Sequence, residues 1–106
     1  MIEKIEKILP YVTKPGRYVG GEKNSVIKDP KDIKLRVCLV FPDVYEIGMS
    51  NLGLQILYST INENPDFYAE RAFAPWSDFS EKLRQNNLPL YSLETKTPLF
   101  KFDIVA

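Results

Sequence analysis

The sequence predicts an α/β fold, a mostly parallel sheet with helices packed across it, and three observations predict it. Lys34 to Phe41, KLRVCLVF, is a β-branched and leucine-rich run that is apolar on both faces, as suits a central parallel strand covered from two sides. Asn51 to Asn64 then changes to a helical period, while FYAERAFA at 67–74 and FDIVA at 102–106 return to strand composition. Strand, helix, strand, helix, strand at this spacing implies right-handed crossovers onto one sheet.

The elements follow in chain order. In residues 2–9, IEKIEKIL, Ile2, Ile5, Ile8 and Leu9 fall on one face and Glu3, Lys4, Glu6 and Lys7 on the other, a short amphipathic helix that Pro10 stops. From Tyr11 to Asp32 the pattern dissolves among prolines, glycines and scattered charges. A stretch this long without secondary structure is usually functional or disordered. Tyr11, Tyr18, Val19, Val26 and Ile27 give it apolar surface to bury, so it should wrap along the domain.

Within 51–64, Leu52, Ile56, Leu57 and Ile61 form the expected inward stripe, with Leu54 and Tyr58 on its flank and Ser50 or Asn51 as the N-cap. Asn64-Pro65-Asp66 turns the chain into the strand at 67–74, which Pro75 halts. Ser77 to Gln85 reads as a short helix capped by Ser77, with Phe79 and Leu83 facing inward. Leu88 to Leu93 reads as a short edge strand limited by Pro89. The first strand should be central, with 67–74 on one side and 102–106 on the other, and Phe41 should be buried under the helices.

The fold class is therefore α/β, a truncated flavodoxin-like or Rossmann-like three-layer sheet, mostly parallel, preceded by an N-terminal helix and a long wrapping loop. Residues 1–34 form the helix and wrapping segment, and 35–106 a partial α/β domain. Because FDIVA leaves the sheet open, the chain reads as the front part of a longer protein, and an uncovered final strand should drive self-association.

Composition sets limits on function. In 106 residues, 14 basic and 14 acidic side chains balance. A neutral chain without a basic block lacks the electrostatic footprint for nucleic acid or for a membrane surface. Its start, MIEKIEK, is unlike a secretory signal, so the location expected is cytoplasmic. The sole cysteine, Cys38, lies inside the apolar run and reads as a buried core residue. With no histidine, imidazole-based zinc sites and Ser-His-Asp or Cys-His nucleophile systems are excluded.

The segment from Phe41 to Gly53, FPDVYEIGMSNLG, follows the first strand, where open α/β sheets bind ligands. GMSNLG has the glycine spacing of a Walker A loop, but Leu54 and Gln55 stand where Lys and Ser or Thr are needed. The dinucleotide fingerprint needs glycines one residue apart, which this segment lacks, and a flavodoxin-like phosphate loop needs more hydroxyls than Ser50 supplies. Two readings stay open. Either the segment holds a ligand, or Gly48 and Gly53 serve turning and packing while Ser50-Asn51 caps the helix.

The stretches PGRYVGGEKNSVIK, FPDVYEIGMSNLGLQILY and ERAFAPW, in this order and spacing, resemble the N-terminal domain of a family of bacterial radical SAM proteins with cobalamin-binding-like annotation and unknown substrate. The resemblance spans about residues 5 to 106. It implies an accessory domain that precedes a radical SAM domain of the same chain, whose C-x-x-x-C-x-x-C motif holds a 4Fe-4S cluster that cleaves S-adenosylmethionine. That motif is absent here, so this chain alone performs no radical reaction. Cobalamin, which related domains ligate through histidine, would bind without a protein imidazole. The residues implied at a cofactor or substrate cavity are Tyr45, Glu46, Gly48, Met49, Ser50, Asn51 and Gly53, with Trp76, Arg17, Tyr18 and Glu22; no catalytic or metal residue is implied. Two other expectations compete: a stand-alone corrinoid- or flavin-binding module, and a protein-interaction domain.

Overall fold

The structure, a computed structural model, describes residues 2–12, 14–22 and 24–106. It contains helix α1 (Ile2–Ile8), strand β1 (Leu35–Phe41), helices α2 (Tyr45–Met49) and α3 (Leu52–Asn62), strand β2 (Phe67–Phe73), helix α4 (Ser77–Gln85) and strand β3 (Ile104–Val105). The sheet order is β2-β1-β3 and both pairings are parallel, so β1 is central as its two-sided apolar sequence requires. Leu39 stands opposite Arg71, and Cys38 opposite Glu70 and Val105.

Each sheet face gathers its own core. Val37, Leu39, Ala69 and Phe73 meet Leu54 and Tyr58 of α3 and Leu93, while Cys38 and Ala72 on the other face meet Phe102. A third cluster joins α1 to α4 through Ile5, Ile8, Phe79 and Leu83, with Tyr18 stacked on Phe79 at a centroid distance of 3.6 Å. The N-terminal segment is thus anchored by packing.

The outer edge of β2 is closed by named groups. Lys28 Nζ donates to the Phe67 carbonyl at 2.8 Å, and the Asn62 amide both donates to and accepts from the Ala69 backbone. Leu93 N donates to the Arg71 carbonyl at 2.8 Å, and the Glu94 carboxylate accepts from Arg71 N. Unpaired edge groups invite another strand, and these contacts remove the invitation. The β3 edge is left open, with Ile104 and Val105 about half exposed.

Five local expectations are corrected. Leu54 and Tyr58 face the core, whereas Leu52, Ile56 and Leu57 are exposed, so the inward face of α3 is the expected flank. The segment from Phe41 to Gly53, expected as the loop after the first strand, carries the helix α2. Trp76, not Ser77, is the N-cap of α4, with no side-chain capping bond. Leu88 to Leu93 forms no strand; its backbone is spent on the β2 edge and on a single bridge from Tyr91 to Pro98. Phe41 is half-buried, packed at the margin of the α3-side core. Asn51 caps α3 as expected, its Oδ1 accepting from Leu54 N at 2.9 Å.

Candidate functional site

Adjacent positions on a strand point to opposite faces, so Glu70 and Arg71 carry opposite charges to opposite sides of the sheet. Both are buried. A charge out of water must be paired and hydrogen-bonded, and each side chain has recruited its own set of partners.

On the α3 side, Arg71 Nε donates to Glu94 Oε2 at 2.8 Å, and Nη2 donates to Glu22 Oε1 at 3.1 Å and Ser25 Oγ at 2.9 Å. Nη1 faces the Met49 sulfur at 3.3 Å, and the guanidinium lies 4.2 Å from the Tyr58 ring centroid. Burial alone would lower the Arg71 pKa, but Glu94, Tyr58 and Glu22 outweigh it and raise it above the ordinary value. Tyr45 Oη donates to Glu22 Oε2 at 3.2 Å; burial and then Glu22 raise its pKa. The wrapping segment is tied down at the same point, for Val26 N donates to Tyr58 Oη at 2.8 Å.

Beside this cluster lies a cavity of about 200 Å³ lined by Val26, Met49, Leu54, Gln55, Tyr58 and Arg71, among others. A second, shallower crevice of about 500 Å³ lies at the carboxyl ends of β1 and β3, bordered by Leu39, Phe41, Asn51, Gly53, Leu57 and Ala106. Strand order reverses beside β1, and such switch points are where open α/β sheets take ligands.

The residues expected at a site divide into four groups. Glu22, Tyr45, Gly48 and Met49 meet around Arg71 or line its cavity. Asn51 and Gly53 border the crevice, and Ser50 Oγ donates to the Glu46 carbonyl at 2.8 Å. Arg17, Glu46 and Trp76 form a surface group. Arg17 Nε donates to Glu46 Oε1 at 2.8 Å, which holds the Glu46 carboxyl below its usual range, and the Arg17 guanidinium lies 5.6 Å from the Trp76 ring centroid. Tyr18 is buried in the α1–α4 cluster, away from both hollows. Gly48 has a packing reason: a Cβ there would run into the Phe73 ring.

Arg71, Glu94 and Tyr58 were not among the expected residues, although the adjacent Glu and Arg inside FYAERAF signal buried charge on a strand. The family described as radical SAM proteins, N-terminal, matches residues 53–106, more than half of the 106-residue chain. The chain belongs to this family. No curated protein and no solved structure matches it.

In this radical SAM N-terminal region the matched span holds α3 from Gly53 onward, β2 with Glu70 and Arg71, Glu94 and β3; of the expected site residues only Gly53 and Trp76 fall inside it. The chain's own donors do not fit an iron–sulfur cluster. Such a cluster needs several thiolates, and Cys38 is the sole cysteine, fully buried, with burial pushing its thiol up to about 12. Among the described residues no group of three or more His, Cys, Asp and Glu side chains is placed to hold a metal ion, and no helix is long and apolar enough to cross a membrane.

Proposed function

We propose that this accessory domain of a radical SAM protein supplies one wall of a cavity shared with a radical SAM domain of the same chain, together with the surface on which that domain sits. The 4Fe-4S cluster and S-adenosylmethionine belong in that other domain, and a cytoplasmic location goes with this reading. The observation that carries it is the crevice where strand order reverses, bordered by Asn51, Gly53 and Leu57. On α3 and β3, the elements that lead to it, Leu52, Ile56, Leu57, Ile104 and Val105 are exposed, and a contiguous apolar surface marks a contact region. Cobalamin fits the reading only without a protein imidazole, because the chain has no histidine.

The reading is tested on the gene and on the protein it encodes. A C-x-x-x-C-x-x-C motif is expected downstream of codon 106, and in the full-length protein residues 42–57 and 104–106 should exchange amide hydrogens more slowly than in the 106-residue chain. Absence of the motif, or identical exchange in the two proteins, overturns the proposal.

A further inference from the structure

The cavity beside Arg71 shares Leu54 with the crevice but is a separate hollow, and its chemistry can be read separately. A guanidinium has five N–H donors. Nε and Nη2 of Arg71 serve Glu94, Glu22 and Ser25, whereas among the described residues Nη1 meets the Met49 thioether at 3.3 Å and no oxygen acceptor. A thioether is a weak acceptor for a charged donor. The Nη1 edge is therefore where an incoming oxygen would improve on the present partner. Both Arg71 and Met49 line the cavity, and Arg71 is more than nine-tenths buried.

The remaining walls define the rest of the ligand. Val26, Gly48, Leu54 and the Tyr58 ring are apolar, with the polar side chains of Asn24, Gln55 and Ser59 nearer solvent. A volume of about 200 Å³ has room for roughly seven water-sized groups. Charge decides between ligand types. Arg71 already faces two carboxylates, Glu22 and Glu94. An added anion would meet both at close range, whereas an uncharged acceptor meets no such repulsion.

We infer that the cavity binds a small uncharged molecule with a branched apolar body and one carbonyl or amide oxygen, which accepts from Arg71 Nη1 in place of the Met49 sulfur. Isovaleramide and isovalerate have nearly the same shape and differ in charge, so each is titrated into the ¹⁵N-labelled chain. Isovaleramide should shift the amides of Gly48, Met49 and Tyr58 and the Arg71 Nε–H, with a Kd on the order of a few millimolar. Isovalerate should bind at least tenfold more weakly. Ser59→Trp, a change on the exposed side of α3, should fill the cavity and abolish the shifts.

Equal or tighter binding of isovalerate overturns the inference. So do shifts that survive Ser59→Trp, and so does the absence of binding by either probe to a chain whose spectrum shows it folded. Shifts confined to Asn51, Gly53 and Leu57 also overturn it, by placing the ligand in the crevice. None of these outcomes bears on domain docking, which exchange in the full-length protein decides.

Discussion

Glu70 and Arg71 are neighbours on one strand, yet the environments they build differ in kind. Glu70 Oε1 accepts from Ser92 Oγ at 2.7 Å and from Thr95 Oγ1 at 2.6 Å, and Oε2 accepts from Arg36 Nη2 at 2.6 Å. Every partner lies on β1 or in the 92–97 turn, and the side chain is sealed from solvent. Arg71 shares that turn through Glu94 but also reaches Glu22 and Ser25 in the wrapping segment and Met49 at the end of α2, and it borders a cavity. A buried charge can close a fold, or it can hold a wrapping segment against a site. What separates the two is where the partners lie and whether the charge borders a hollow: among the described residues Arg36 Nε on the Glu70 side is buried without a partner yet lines no enclosed cavity, whereas Arg71 does.

The largest expected effect comes from breaking the Arg71 side. Arg71→Ala leaves Glu94, whose side chain is fully buried, and Glu22 without their cation, and should cost about 3–5 kcal/mol in denaturant unfolding. A loss below about 1 kcal/mol would mean that the carboxylates find water. Glu70→Ala should cost somewhat less, about 2–3 kcal/mol, because Arg36 retains Thr95 and Thr97 as acceptors and a partly exposed side chain. Reversal of this order would contradict the contrast.

Gly48→Ala sharpens the comparison on the Arg71 side alone. Its methyl group would enter the Phe73 ring, so the ring or α2 must shift, at about 1–3 kcal/mol. The amide shifts should centre on residues 45–49 and spare Ser92 and Thr95.

The smallest effect is alkaline. Burial pushes the Cys38 thiol from 9.0 up to about 12 and Tyr68 from 10.0 up to about 12, and it raises Tyr45, Tyr58 and Tyr91 as well. The unfolded chain ionises these groups from about pH 9 upward while the folded chain keeps them protonated. Their contribution is thus complete below about pH 9 and is lost as pH rises toward 12. Lys96, which burial lowers, works in the opposite direction. The melting temperature should be level from about pH 7 to 8.5 and fall above 9. Cys38→Ala should move the onset toward pH 10; an unchanged onset would remove the thiol from the account.

Much of this was legible in the sequence, and the omissions have physical causes. The central place of β1 followed from its two-sided apolar run, and the β2-β1-β3 order and parallel sense agree with it. The inward face of α3 did not follow, because Leu52, Leu54, Ile56 and Leu57 put leucine or isoleucine on every side of the helix. Tyr58 settles the face, since its ring packs on Arg71 and its hydroxyl receives Val26 N. Glu22, Tyr45 and Met49 were expected at a site, but the side chain that unites them was not. Arg71 lies 49 residues from Glu22, 22 from Met49 and 23 from Glu94 in sequence, and no local pattern reports a pairing across such distances.

The contrast between the two neighbours is tested most directly by amide exchange at Ser25 and Val26 in Arg71→Gln and Glu70→Gln, each corrected for its change in global stability. Arg71→Gln should speed exchange at these two amides at least tenfold, because it removes the guanidinium that holds Ser25 and Glu22 and packs on Tyr58, the acceptor of Val26 N, while Glu70→Gln leaves them as in the parent chain. Equal rates in the two variants would contradict the account.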